Sequence, residues 1–175
     1  VYDTERRKEV TAMDGDGTLE QVIRQYAPSV YRLAYARTGS RCDAEDVMQE
    51  VFLRLVKAAP VFREEEHRKA WLLRVTVNCA NDLFRSLRSR RTEPLDERLS
   101  APPAPEPGGV LEQVLSLPFK YRVPIHLFYY EDMSVAEIAA ATGRSESAVK
   151  QQLSRGRTML REALKGDTPH VQSGI

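Results

Sequence analysis

The sequence predicts an all-α protein of two small helical domains joined by a proline-rich linker. Three observations carry this expectation. Apolar residues recur at three- and four-residue steps over residues 19–91, and again over 110–165, which is the period of an amphipathic helix. Between these stretches, "TEPLDERLSAPPAPEPGG" gathers Pro94, Pro102, Pro103, Pro105 and Pro107 ahead of two glycines. Such a composition is extended and semi-rigid and cannot build a packed helix. Finally, both chain ends are polar. The expected organisation is a tail over 1–18, a helical domain over 19–91, a linker over 92–109, a second helical domain over 110–166 and a tail over 167–175.

Taken in order, the first periodic run is carried by Val22, Ile23, Tyr26, Val30 and Leu33, with Pro28 expected to begin or kink a helix there. "CDAEDVMQEVFLRLVKAAPVF" is the clearest amphipathic segment. Ala44, Val47, Met48, Val51, Phe52 and Leu55 line one face, and Asp46, Gln49, Glu50 and Arg54 lie off it. Asp43 is the expected N-cap, and Pro60 stops the helix. "VFREEEHRK" reads as a charged connection. In the helix that follows, Trp71, Leu72, Val75, Cys79 and Leu83 form the apolar stripe. The β-branched run Val75, Thr76, Val77 suits a strand in isolation, but the longer three-four period favours helix.

After the linker, "VLEQVLSLP" and "YRVPIHLFYYED" are short helical stretches. "SVAEIAAAT" opens on Ser134 and Glu137, the S-x-x-E capping box, and Gly143 follows it as a left-handed C-cap residue. Ser145 caps a last helix running to about Leu164.

A hydrophobic content of 42% and a charged content of 29% are those of an ordinary globular chain, which excludes a disordered one. No window approaches the roughly 18 apolar residues of a membrane span. The stretch "VYDTERRKEV" lacks the apolar core of a signal peptide, so a cytoplasmic protein is expected. Cys42 and Cys79 have no metal-ligand spacing and read as reduced thiols. "DGDG" resembles half a calcium loop without its closing glutamate, so no metal is expected. His67, His126 and His170 are scattered, and no nucleophile–base pair or phosphate-cradling loop is present. Neither an enzyme nor a cofactor is expected.

Two basic elements carry the functional reading. Around Gly143, Ala139 and Val149 stand at helix-turn-helix spacing, with Ile138, Val149 and Leu153 as the shared core. The second helix presents Ser147, Lys150, Gln151, Ser154 and Arg155, side chains that bond to base edges and phosphates. The second element holds Arg68, Lys69, Arg74, Arg85, Arg88, Arg90 and Arg91, with Asp82 as its only acid. Such a stripe favours phosphate contact, with Asn78 and Asn81 upstream and Trp71 and Phe84 available to stack on bases or to fill the core. The acidic face of Asp46, Gln49 and Glu50 should point away from DNA, toward a protein partner. A regulator that binds duplex DNA as a dimer would need a dimerisation seam, and the sequence shows no heptad repeat.

These elements, in this order, resemble a bacterial RNA polymerase sigma factor of the extracytoplasmic-function (ECF) group of the sigma-70 family. "DAEDVMQEVFLRL" looks like the segment that docks on the polymerase clamp. "AWLLRVTVNCANDLFRSLRSRR" is similar to the part of region 2 that melts and reads the minus-10 element. "MSVAEIAAATGRSESAVKQQLSRGRTMLREAL" looks like the region-4 helix-turn-helix that reads the minus-35 element.

The resemblance covers about residues 19–165 and implies roles residue by residue. Asp46, Gln49 and Glu50 fall where the family contacts the beta-prime clamp of core RNA polymerase. The minus-10 set is Phe62, Arg63, Glu64, Glu65, His67, Arg68, Lys69, Trp71, Arg74, Asn78, Asn81, Arg85 and Arg88. Three consecutive acids, Glu64 to Glu66, depart from common versions of this loop; they either accept a cytosine amino group or point to solvent. The minus-35 set is Ser145, Ser147, Ala148, Lys150, Gln151, Ser154, Arg155 and Arg157. The implied partners are core RNA polymerase through its beta-prime and beta subunits, promoter DNA, and an anti-sigma factor, with no membrane insertion.

Overall fold

The computed structural model describes residues 18–90 and 110–166, and every described element is an α-helix. The expected linker over 92–109 and tail over 167–175 lie outside the described residues, as does the expected tail over 1–18 except for Thr18, which caps α1. Among the described residues, seven helices follow in order: α1 (Leu19–Thr38), α2 (Arg41–Ala58), α3 (Glu65–Arg90), α4 (Val110–Ser116), α5 (Phe119–Tyr129), α6 (Val135–Thr142) and α7 (Glu146–Gly166).

Helix α1 starts on a capping box: the Thr18 hydroxyl accepts from the Gln21 backbone N–H, and the Gln21 side chain accepts from the Thr18 N–H at 2.8 Å. Pro28, expected to begin or kink a helix, does not begin one: it lies inside α1, which opens at Leu19. Gly39 ends α1 in the left-handed conformation, with its N–H on the Tyr35 carbonyl. The N-cap of α2 is Ser40, not Asp43. Ser40 follows the Gly39 turn directly in extended conformation, so its hydroxyl reaches the Asp43 N–H while Asp43 sits in the first turn, where the macrodipole favours an acid. Helix α2 ends at Ala58, before Pro60, with Ala59 taking the left-handed cap.

Helices α1, α2 and α3 pack on one another as a bundle. Its centre holds Val22, Tyr26, Val30, Val51, Leu55 and Leu72. All but Met48 of the apolar face read for α2 is buried, and Met48 packs on the core from its edge. The α3 stripe is buried at Leu72 and Cys79, with Trp71, Val75 and Leu83 packed from the side. Burial raises the pKa of the Cys79 thiol, so this cysteine behaves as a core residue. Helix α3 also begins earlier than "VFREEEHRK" suggests, since Glu65 already opens it.

The second unit is a cluster in which α5 and α6 pack on α7, and α4 packs on α5. Its core is built from Ile125, Leu127, Ile138, Val149 and Leu153. Gly156 lets α7 come close to α5: a Cβ there would lie 2.9 Å from Ile125 Cγ1. The two units also touch. Helix α5 packs on α1 and α6 on α3, and Leu33, Leu73 and Val77 belong to the C-terminal core rather than to the bundle centre. Leu115 of α4 reaches the opposite way, into the N-terminal core. Helix α3 is therefore covered on two sides, and its β-branched run is helical because Thr76 and Val77 are buried within it.

Candidate nucleic-acid interface

The helix-turn-helix is assembled from local chemistry. Ser134 and Glu137 form the capping box: the Ser134 N–H donates to Glu137 Oε2 at 2.7 Å, and the Glu137 N–H to Ser134 Oγ at 3.3 Å. These bonds hold the Glu137 carboxyl below the usual carboxylate range. Gly143, at φ 66, turns the chain, and Ser145 Oγ then accepts from the Ala148 N–H to open α7.

Val149 and Leu153 point into the core and fix the rotation of α7. Ser145, Ser147, Lys150, Gln151, Ser154, Arg155 and Arg157 are consequently exposed, and Ala148 is half-buried. Arg157 spends one donor on its own helix, with Nε bonded to the Leu153 carbonyl at 3.2 Å. What remains is a polar surface of hydroxyl, amide and cationic groups, the mix that reads base edges and phosphates.

The expected minus-10 residues do not form one surface. Arg74, Asn78 and Arg85 are exposed, at spacings of four and seven that place them on one face of α3. Asn81 flanks that face and is engaged, accepting from Arg37 Nε at 3.1 Å. Arg88 is on α3, but its side chain lies outside the described residues. In the loop before α3, Phe62 packs edge-on against Trp71, with ring centroids 5.9 Å apart. Trp71 in turn packs on the N-terminal core. Arg68 is buried, its guanidinium 5.7 Å from the Phe62 centroid. This trio supports the loop from beneath.

Arg63, Glu64, Glu65 and His67 are exposed around the loop. Glu65 is tied to α1, accepting from the Tyr26 hydroxyl at 3.1 Å and from the Gln25 side-chain amide. Burial, and then the Glu65 carboxylate, push the Tyr26 hydroxyl up to about 12, so it stays a donor. Lys69 stands apart from the exposed stripe. Its Nζ donates to the Glu131 carbonyl at 2.9 Å and lies 3.3 Å from the Glu131 carboxylate, across the contact between the two helical units.

On α2, Asp46 and Gln49 are exposed. Glu50 accepts from Arg54 at 2.8 Å, and Arg54 also lies 3.8 Å from Asp82 of α3. Leu53 is 51% exposed and continues this face by another turn. Sequence reading passed over it, although Asp46, Gln49, Glu50 and Leu53 stand at i, i+3, i+4 and i+7. Sequence reading also missed Glu131, His126 and Arg122, polar residues that the structure buries. Arg122 and His126 stand four apart on the buried face of α5, and that mismatch of period and residue type was the available signal; Glu131, beyond the end of α5, offered none.

Comparison with known proteins agrees with this layout. Residues 22–91 match the sigma-70 region 2 family, and residues 109–160 match the sigma-70 region 4 family. The chain is 34% identical over 157 residues to the ECF RNA polymerase sigma factor SigE of Mycolicibacterium smegmatis, covering 83% of this chain and 61% of that protein. It is 31% identical over 139 residues to the ECF sigma factor SigL of Mycobacterium tuberculosis, covering 74% of this chain and 78% of that one. Among solved structures, the sigma factor RpoE in complex with the anti-sigma factor NepR from Bartonella quintana shares the fold. It gives a TM-score of 0.63 at 21% identity, covering 85% of this chain and 97% of that one. With the two family regions in order and the helix-turn-helix and acidic helix where those regions fall, the chain belongs to the sigma-70 family, in its extracytoplasmic-function group.

Proposed function

We propose that this protein binds core RNA polymerase and directs it to promoters by reading a minus-35 and a minus-10 element and favouring DNA melting. The observation that carries this reading is the outer face of α7. Ser147, Lys150, Gln151, Ser154 and Arg155 are all exposed on a helix whose Val149 and Leu153 are buried behind a Gly143 turn. This is the side-chain set a recognition helix offers to a major groove.

In this reading, Lys150, Gln151, Ser154 and Arg155 contact the minus-35 duplex, with Ser145, Ser147, Ala148 and Arg157 at its edges. Arg74, Asn78 and Arg85 follow the minus-10 strand. Arg63, Glu64 and His67 border the pocket for an unstacked base, and Phe62, Arg68 and Trp71 hold that loop in place. Extruding a base costs a few kcal/mol, which pocket contacts and bound polymerase must offset. Asp46, Gln49 and Glu50 dock on the polymerase clamp. An anti-sigma factor covering these surfaces is the expected negative regulator, and the protein carries out no catalysis of its own.

The experiment is transcription from a randomised promoter library with bacterial core polymerase, with and without this protein, followed by sequencing of RNA 5′ ends. Discrete starts that share two upstream motifs and vanish without the protein are expected. No protein-dependent transcripts, together with sequence-specific duplex binding by the protein alone, would overturn the reading.

A further inference from the structure

The two helical units meet along a seam where α5 crosses α1 and α6 crosses α3. Leu33, Leu73 and Val77 supply its apolar part. Its polar part is unusual. The Glu131 side chain is 2% exposed, and its Oε2 lies 3.3 Å from Lys69 Nζ, which also donates to the Glu131 carbonyl at 2.9 Å. Behind it, His126 is fully buried, with Nε2 3.6 Å from Glu131 Oε1, too long for a hydrogen bond. Among the described residues, both ring nitrogens of His126, Glu131 Oε1 and Arg122 Nη1 are buried without a hydrogen-bond partner.

A built-in turn aims the carboxylate. Asp132 holds φ 55, a conformation that Asp tolerates better than most residues, and the Met133 N–H returns to the Leu127 carbonyl at 3.0 Å. Glu131 is thereby folded back toward α3 instead of out to water.

These features suit a contact that opens. Buried polar atoms without partners oppose closure, because opening hydrates them. Glu131 is 2% exposed and Lys69 36% exposed, so loss of Lys69 would leave a buried carboxylate without its cation, which is strongly disfavoured. The cation used is Lys69, which adjoins the stripe assigned to the minus-10 strand. Nucleic-acid phosphate offers Lys69 the same charge that Glu131 does, so the two compete for it. Nineteen residues connect α3 to α4, and a chain of that length reaches at most about 65 Å, enough to let the units part.

We propose that the Lys69–Glu131 bridge is a latch that holds the region-4 unit closed on α3 and withholds Lys69 from nucleic acid until polymerase and promoter open the seam. The destination of Lys69 rests on the promoter reading above; the closure does not.

The test uses the full chain with fluorophores on exposed Cys42 and on a cysteine introduced by Glu162→Cys, both outside the seam. Energy transfer reports closure, and circular dichroism confirms that each variant is folded. Lys69→Glu sets two carboxylates face to face and should shift the closed-to-open ratio about tenfold or more toward open. Lys69→Met should shift it in the same direction, and K69E/E131K should restore transfer. Unchanged transfer in folded K69E and K69M overturns the latch. Core polymerase and a promoter fragment are then added to the wild type, which should lose transfer. Binding without loss of transfer also overturns the latch. If neither binds while K69E still opens the chain, the promoter reading fails and the latch stands.

Discussion

Ser134 and Glu137 show how far single residues can be read. Their three-residue spacing before an apolar run announced a capping box, and both bonds are present. Replacing Ser134 by Ala should destabilise the C-terminal unit by about 1 kcal/mol. Glu137→Ala carries a pH signature. Its carboxyl is held below the ordinary carboxylate range, chiefly by Ser134, so its contribution is present above that range and is lost as pH falls through the depressed value. Urea unfolding across a pH series should show E137A weaker than wild type near neutrality and equal to it once Glu137 titrates in acid. A constant gap at all pH values would argue against the bond.

Glu131 is the opposite case. Nothing in "YYEDMS" distinguishes a buried carboxylate from a solvated one, because its partner Lys69 is 62 residues away and belongs to the other helical unit. Local chemistry was legible in the sequence; long-range pairing of charges was not. The outer face of α7 falls between these extremes. Its residue types were legible, and the burial of Val149 and Leu153 accounts for their exposure. Lys150→Ala and Arg155→Ala should each weaken binding of the polymerase complex to a minus-35 duplex, by about 1–3 kcal/mol if the side chain reads a base. If Lys150 meets only phosphate, its loss should be uniform across sequences and should lower the salt slope by about one, as titration at several salt concentrations would show.

At the scale of elements, the helices α2, α6 and α7 were legible because each buries one face, leaving a clean three-four period. Helix α3 was harder, since it is covered by the bundle on one side and by α6 on the other. Its two buried faces blur the stripe, and Leu73 and Val77 were missed as core for that reason. Gly156 was silent for a related reason, because a helix-interior glycine normally lowers stability relative to Ala. Here the packing decides. An Ala methyl would stand 2.9 Å and 3.1 Å from Ile125 Cγ1 and Cδ1. Gly156→Ala should gain up to about 1 kcal/mol of helix propensity and lose about 1–3 kcal/mol to overpacking, for a net destabilisation. Thermal unfolding of G156A, I125A and the pair distinguishes the effects: Ile125→Ala removes both clashing carbons, so Gly156→Ala should cost less in that background than in the wild type. A G156A protein more stable than wild type would show that α7 shifts freely on α5.

For the whole molecule, the two helical units were legible from the proline-rich interval, but their contact was not, since a linker predicts separation and says nothing of docking. That contact sets an order of events. The α2 face bearing Asp46, Gln49 and Leu53 is exposed with the seam closed, whereas Lys69 is engaged by Glu131. In the proposed function, polymerase docking and nucleic-acid reading draw on surfaces that differ in availability, so docking is expected to come first. If so, the docking energy should be independent of the latch. Asp46→Ala with Glu50→Ala should weaken binding to core polymerase about tenfold or more, and Leu53→Ala should weaken it by removing an apolar anchor from the same face. Combined with K69E, the loss from D46A/E50A should add to the K69E effect within about 0.5 kcal/mol, as expected for sites without shared partners. Fluorescence anisotropy of labelled protein titrated with core polymerase, in the absence of DNA, completes this double-mutant cycle. A coupling well above that value would mean that the clamp reaches the seam directly, so that polymerase opens the molecule as it docks and the promoter meets an already open protein.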